Sequence, residues 1–205
     1  MDRPVRVLLD VNIFVGNIIA LDRGHKGTAT QTLVSMVSRH IWGTGDRSQL
    51  VISFKMIDTL ETVLRRLHFR EDRITAYSGS IVDIMRYGPD ALDPYLILGG
   101  EERFALSDVE DAGVFATAFG ARADILVTDN LKDFASKDAS VVDTQTVHSS
   151  SSGPRRLQAL RYEIGGADLI VAHPFDVMQW MRRGYDFTPG MLWDAIQPPD
   201  AGTAG

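Results

Sequence analysis

Two short apolar runs, each ending in a polar cluster, constrain this chain more than any other feature. Val5-Arg6-Val7-Leu8-Leu9 leads into Asp10, with Asn12 two residues later. Ile125-Leu126-Val127 leads through Thr128 into Asp129 and Asn130. Runs this short, apolar and β-branched read as buried strands. An acid at the carboxyl end of a buried parallel strand stands where open α/β sheets hold their ligands. The simpler job for such an acid is to cap the next turn or helix, so the remaining chain has to decide between the two.

Between and after these runs the periodicity is mostly helical. Leu33, Val34, Val37 and Ile41 place a helix within His25 to Ile41, and Gln49 to Ser53 forms a second strand, with Ser53 as the cap of the next helix. Met56, Ile57, Leu60, Val63, Leu64 and Leu67 make one apolar stripe on that helix, from Lys55 to Phe69. Glu61 lies at the edge of the stripe, four residues before Arg65, where a surface ion pair is the plain alternative to a functional role. A further helix runs from Glu71 to Arg86. The piece Tyr95 to Leu98 fits no secure element. Ser107-Asp108-Val109-Glu110 matches a capping box and opens a helix to about Ala121, which gives Asp108 and Glu110 ordinary end-of-helix roles. Asp111 is different. With Phe115, Ala118 and Phe119 at i+4, i+7 and i+8 it heads the face that packs inward, where an acid needs a partner or a metal.

Val141-Val142 reads as a minor strand, His148 to Arg156 as an exposed Ser-rich loop, Leu169 to Ala172 as a strand and Phe175 to Arg183 as a helix. The domain therefore spans residues 1–183, with an insertion at about 135–164 expected to cover the domain surface or to make an oligomer contact. The tail, 184–205, holds several prolines and glycines and is expected to be extended. The succession of strands and helices is that of an α/β sandwich with a mostly parallel central sheet and helices on both faces.

Composition narrows the chemistry. The chain has no cysteine, which excludes disulfides and thiolate metal sites and points to a reducing, cytoplasmic setting. No signal peptide or membrane-length apolar run is visible. A net charge of −6 argues against broad electrostatic binding to nucleic acid, but not against a nuclease whose acids are neutralised by metal ions. There is no Gly-rich phosphate loop and no defensible nucleophile. A set of acids remains: Asp10 and Asp129 at strand ends, Glu61 and Asp111 on helices. Gathered at one sheet edge they repel one another unless cations intervene, and an all-oxygen set suits Mg²⁺ or Mn²⁺. Such an ion activates water and steadies a leaving oxygen, as phosphodiester hydrolysis requires.

Leu8-Leu9-Asp10-Val11-Asn12, Thr59 to Leu64, Asp108 to Asp111 with its Ala-rich helix, Ala123 to Asn130, and Ala172-His173-Pro174-Phe175-Asp176 together resemble the PIN-domain nucleases, including VapC-like toxin ribonucleases, over about residues 5–183. The resemblance implies a Rossmann-like three-layer fold and Mg²⁺- or Mn²⁺-dependent cleavage of RNA, with the chain as the toxin held by a cognate antitoxin protein. It carries Asp10, Glu61 and Asp111 over as catalytic acids, with Asp10 and Asp111 as metal ligands. At the fourth position the family register, Thr-x-Asp from Thr128, falls on Asn130, so Asp129, Asn130 and Asp133 compete, with Asp129 assigned to catalysis and metal binding. Asn12 is then a supporting donor. Arg65 and Arg66, within a basic run after Glu61, are candidates for phosphate contact, as are Arg155, Arg156 and Arg161. A homodimer is compatible with this reading. The alternative is a binding or regulatory module that keeps the fold without cleavage. A phosphatase of the haloacid-dehalogenase type also opens with a strand-end Asp, but needs a second Asp where this chain has Asn12.

Overall fold

A computed structural model describes residues 3–43, 45–94, 109–136, 138–149, 153–164, 166–185, 187 and 189–196. The chain order is β1 (Val5–Leu9), α1 (Val11–Asp22), α2 (Ala29–Ser38), β2 (Ile41–Trp42), β3 (Asp46–Val51), α3 (Phe54–Arg66), α4 (Glu71–Arg86), α5 (Val109–Gly120), β4 (Ile125–Val127), a 3-10 turn (Leu131–Phe134), β5 (Ser140–Ser149), β6 (Gly153–Ile164), β7 (Ala167–Ala172), α6 (Pro174–Arg183) and α7 (Pro189–Ile196). The strands form one seven-stranded sheet in the order β2-β3-β1-β4-β7-β6-β5. β3, β1, β4 and β7 are mutually parallel, and antiparallel strands flank them on both sides. Helices surround this mixed sheet, whose centre is parallel, as the sequence pattern predicts.

Burial explains the order. Val7, Leu8 and Leu9 of β1 and Ile125, Leu126 and Val127 of β4 are all fully buried, so consecutive residues are covered on both faces. That is the expected state of central parallel strands. α3 carries Met56, Ile57, Leu60 and Leu64 inward, as its stripe requires, and Ser53 caps it by accepting from the Met56 N–H. α2 opens later than its periodicity alone suggests, because Thr28 and Gln31 form a reciprocal capping box at its start. It ends at Ser38, and Ile41 begins β2 instead. Among the described residues no helix is long and apolar enough to cross a membrane.

Two larger expectations need correction. The segment from His148 to Arg156 is not simply an exposed loop. Ser140–Ser149 and Gly153–Ile164 pair as a long antiparallel hairpin that extends the sheet beyond β7, so most of the 135–164 insertion is regular strand. The tail is not extended throughout either. Pro189–Ile196 is helix α7, packed near β5 and β7. Proline is favoured in the first turn of a helix, where its missing N–H leaves no bond unmade. Phe187, just before it, is fully buried edge-on against Trp42. The backbone of Gly43 lies at φ 57°, and a Cβ there would come within 2.8 Å of the Phe187 ring, so the tail seats on a position that only glycine keeps open. Tyr95 to Leu98 and the capping box with Asp108 fall outside the described residues, as do the side chain of Glu110 and residues 197–205.

Candidate metal and nuclease site

The carboxyl ends of β1, β4 and β7 are laced together by side chains. Asp10 ends β1 and caps α1. One carboxylate oxygen, Oδ1, accepts from the Val11 N–H at 2.6 Å. The other, Oδ2, accepts from Asn12 Nδ2 at 2.7 Å and from the Thr128 hydroxyl at 2.7 Å. Asn12 Oδ1 in turn accepts from the Asp129 N–H at 3.3 Å, and Thr128 Oγ1 accepts from the Asn130 N–H at 3.1 Å. Asn12 and Thr128 therefore fix both Asp10 and the turn after β4. The Oδ1 bond makes Asp10 a helix cap, while Oδ2 is held toward the β4 turn.

Asp10 is 8% exposed. Burial pushes its carboxyl pKa up, with a smaller upward push from Asp129, while the bonds from Thr128, Val11 and Asn12 pull it down. Folding thus favours the protonated acid. The stabilisation is complete below the ordinary value of 3.8 and is lost as pH rises through the raised folded value. At neutral pH the ionised group is a burden on the metal-free fold. Asp10→Asn is expected to melt at the wild-type temperature or slightly above in metal-free buffer, and to gain less from added Mg²⁺ or Mn²⁺. Thermal melts with and without the ions check this, and a large metal-free loss would make Asp10 chiefly a structural cap.

Asp10 and Asp111 line the same cavity, of ≈ 60 Å³, together with Ser53, Lys55, Met56 and Thr59. Asp111 is half-buried in the first turn of α5. The cavity is large enough for a few waters or a partly hydrated ion. Among the described residues no three of His, Asp and Glu gather as a ready metal cage. Mg²⁺, however, commonly takes one or two carboxylates and keeps several waters. Asp10 and Asp111, with the hydroxyls of Ser53 and Thr59, fit that description, and a buried carboxylate that burial disfavours gains from a cation.

Glu61 is not brought to this cavity. Its Oε1 accepts from the Ser78 hydroxyl at 2.7 Å and its Oε2 from Arg65 at 3.1 Å, linking α3 to α4. Thr59 occupies the cavity wall instead. Two residues along a helix turn the side chain by about 200°, so both cannot face the same way. Lys55 and Thr59 are cavity residues that the acid pattern does not single out. Their signal is the spacing i and i+4 just after a strand end, which puts them on one helix face. Arg65 is engaged by Glu71 and Glu61, which raise its pKa, whereas Arg66 is exposed at the end of α3.

At the fourth position the three candidates separate. Asp129 is exposed beside the site, with His173 Nε2 2.7 Å from its Oδ1, although the angle is poor for a full hydrogen bond. His173 Nδ1 accepts from the Phe175 N–H, which assigns the ring proton to the Nε2 facing Asp129. His173 is buried at the end of β7 and caps α6. Asn130 and Asp133 bond to each other through Nδ2 and Oδ2. Of the three, Asp129 is the one whose charge acts on Asp10. The side chain of Arg155 lies outside the described residues. Arg161 pairs with Asp168 at 2.9 Å.

Comparison with known proteins adds one finding. Neither the curated proteins nor the solved structures contain a match. A family model described as a PIN domain matches residues 6–132, from β1 through the turn after β4, which is the stretch that supplies Asp10, Asp111 and Asp129. With more than half of its length matched, the chain belongs to the PIN-domain family.

Proposed function

We propose that this protein is a metal-dependent endoribonuclease that hydrolyses RNA phosphodiesters at the carboxyl edge of its sheet. The observation that carries the reading is that Asp10 and Asp111, remote in sequence, line one cavity. Asp10 and Asp111 would hold a Mg²⁺ or Mn²⁺ ion, with Asp129 as the further candidate ligand. When bound, the ion supplies an activated water and stabilisation of the leaving oxygen. Asn12 and Thr128 hold the Asp10 carboxylate in one orientation. The His173 ring lies beside Asp129. Lys55 adds positive charge to the cavity wall, where a scissile phosphate would lie. With an ion held by the two acids, water is the natural nucleophile. The same reading makes the protein the toxin of a toxin–antitoxin pair, restrained by a protein partner.

Purified protein is expected to cut single-stranded or structured RNA with Mg²⁺ or Mn²⁺. A chelator should abolish cleavage, Mn²⁺ should restore it, and Asp10→Asn should remove both cleavage and any toxicity in cells. One observation favours a second reading. Glu61 is turned into the α3–α4 contact, which leaves the cavity with two acids among the described residues. A PIN-fold binding module without cleavage would tolerate that. If clean protein at micromolar concentration cuts no RNA with any divalent ion, this second reading replaces the first.

A further inference from the structure

β6 runs antiparallel to β7, so its amino end lies at the carboxyl end of β7, beside the acids. The pairing is offset. Leu160 pairs with Val171, β7 stops one residue later at Ala172, and β6 begins seven residues before Leu160, at Gly153. About six residues of β6 therefore stand beyond the sheet on the side of the site, roughly 20 Å of strand at ~3.3 Å per residue. Arg156 and Gln158 of this overhang fall on one face of β6, which Leu160 and Tyr162 continue within the sheet. The Tyr162 hydroxyl donates to the Phe134 carbonyl, pinning the 3-10 turn after β4 against that face.

The two walls enclose a second cavity, of ≈ 290 Å³. Asp129 and Asn130 form its border with the acidic site, and Lys132, Arg156, Gln158 and Leu160 line its body. Lys132 and Arg156 are exposed, and among the described residues neither side chain has a hydrogen-bond or ion-pair partner. In a chain of net charge −6, unpartnered cations facing each other across a cavity are out of keeping with the surface around them. The volume sits at the low end for ligand pockets, near what a single nucleotide unit fills. The contents match as well: cations for a phosphate, an amide side chain for a base edge, and apolar surface for a base face.

We propose that this cavity is a subsite for one nucleotide of a single strand, next to the cleavage position. Lys132 and Arg156 take the phosphate, and Gln158 and Leu160 meet the base. The inference rests on the nuclease reading for its RNA substrate, but it concerns β6, which lies beyond the residues the family model matches. It places RNA contact on the hairpin rather than on the Arg65 side of α3.

The test separates binding from cleavage. A fluorescently labelled eight-nucleotide RNA of mixed sequence is titrated in chelator, where no cutting occurs, against the full chain and against the Lys132→Ala/Arg156→Ala double variant. The double variant should raise Kd by about tenfold or more and flatten the slope of log Kd against log salt by roughly 0.7, the value for one phosphate neutralised on a single strand. Ala135→Glu, at an exposed position lining the same cavity, should weaken binding in the same direction. Melting temperatures of all variants should match the wild type. An unchanged Kd and salt slope in the double variant overturns the subsite, as does a wild type that prefers the duplex form of the same sequence. A wild type that binds more tightly than the double variant by the predicted margin, yet cuts nothing with Mg²⁺ or Mn²⁺, overturns the nuclease reading and leaves the subsite supported.

Discussion

Asp111→Asn should lower RNA cleavage by about 10² or more while leaving the melting temperature nearly unchanged. The magnitude comes from losing one charged ligand at the transition state: ~10² in rate is roughly 2.7 kcal/mol at 1.36 kcal/mol per decade. The small stability effect comes from position, because the side chain is half-buried at the start of α5 rather than locked in the core. Glu61→Gln is the informative control. Its carboxylate is tied to Ser78 and Arg65 and does not line the cavity, so it should change the rate by no more than about threefold. Equal losses in single-turnover assays of the two variants would mean that Glu61 reaches the reacting atoms after all, and the assignment of the cavity would fall.

The largest effect on stability should come from Phe115→Ala, one helical turn after Asp111. The Phe115 ring stacks on Phe134 at 5.3 Å, meets Tyr162 edge-on at 4.8 Å and touches Phe119 at 5.5 Å. One side chain thus joins α5, which lines the first cavity, to the 3-10 turn and β6, which line the second. Truncating a buried Phe costs about 3–5 kcal/mol, which at ~2–4 °C per kcal/mol for a chain of this size lowers the melting temperature by roughly 6–20 °C. Phe115→Leu should recover most of the loss. Denaturant titration decides it: the midpoint should fall with an unchanged m-value. A shift of less than about 0.5 kcal/mol, the range of ordinary surface substitutions, would show that the aromatic cluster does not hold these elements together.

The parts of the fold that can be read in the sequence share one property, a strong local pattern. Asp10 and Asp129 stand out because apolar strands end at them. Asp111 stands out because Phe115, Ala118 and Phe119 repeat at helical spacing behind it, and Phe115 and Ala118 are buried as that spacing requires. Glu61 shows where local pattern stops. Its position at the stripe edge and its i,i+4 pair with Arg65 are both legible, and the pair is formed. Its direction is not legible, because whether Thr59 or Glu61 faces the cavity depends on how α3 rolls against α1 and α4. The hairpin is obscured by composition. Ser and Gly near its tip look like loop, while strand pairing supplies the order that the residues do not advertise. The tail hides its helix because proline signals a break in most contexts, whereas Pro189 stands at the very start of α7, where it is tolerated.

The overhang of the hairpin has a consequence for motion. Near its base the ribbon is held. Trp180 donates its indole N–H to Asp143 at 3.1 Å, and Tyr162 grips the 3-10 turn. Above that level, Thr144–Ser149 and Gly153–Gln158 share backbone bonds only with each other among the described strands, past a bulge between Val141 and Asp143. Two-stranded ribbons are marginal alone, and local opening takes far less free energy than global unfolding. A hinge at the bulge would let the wall carrying Arg156 move while β1, β4 and β7 keep the acids in register. On the proposed reading, a long strand would then enter from the side and need not be threaded from an end, so positions far from either of its termini would come within reach of the site.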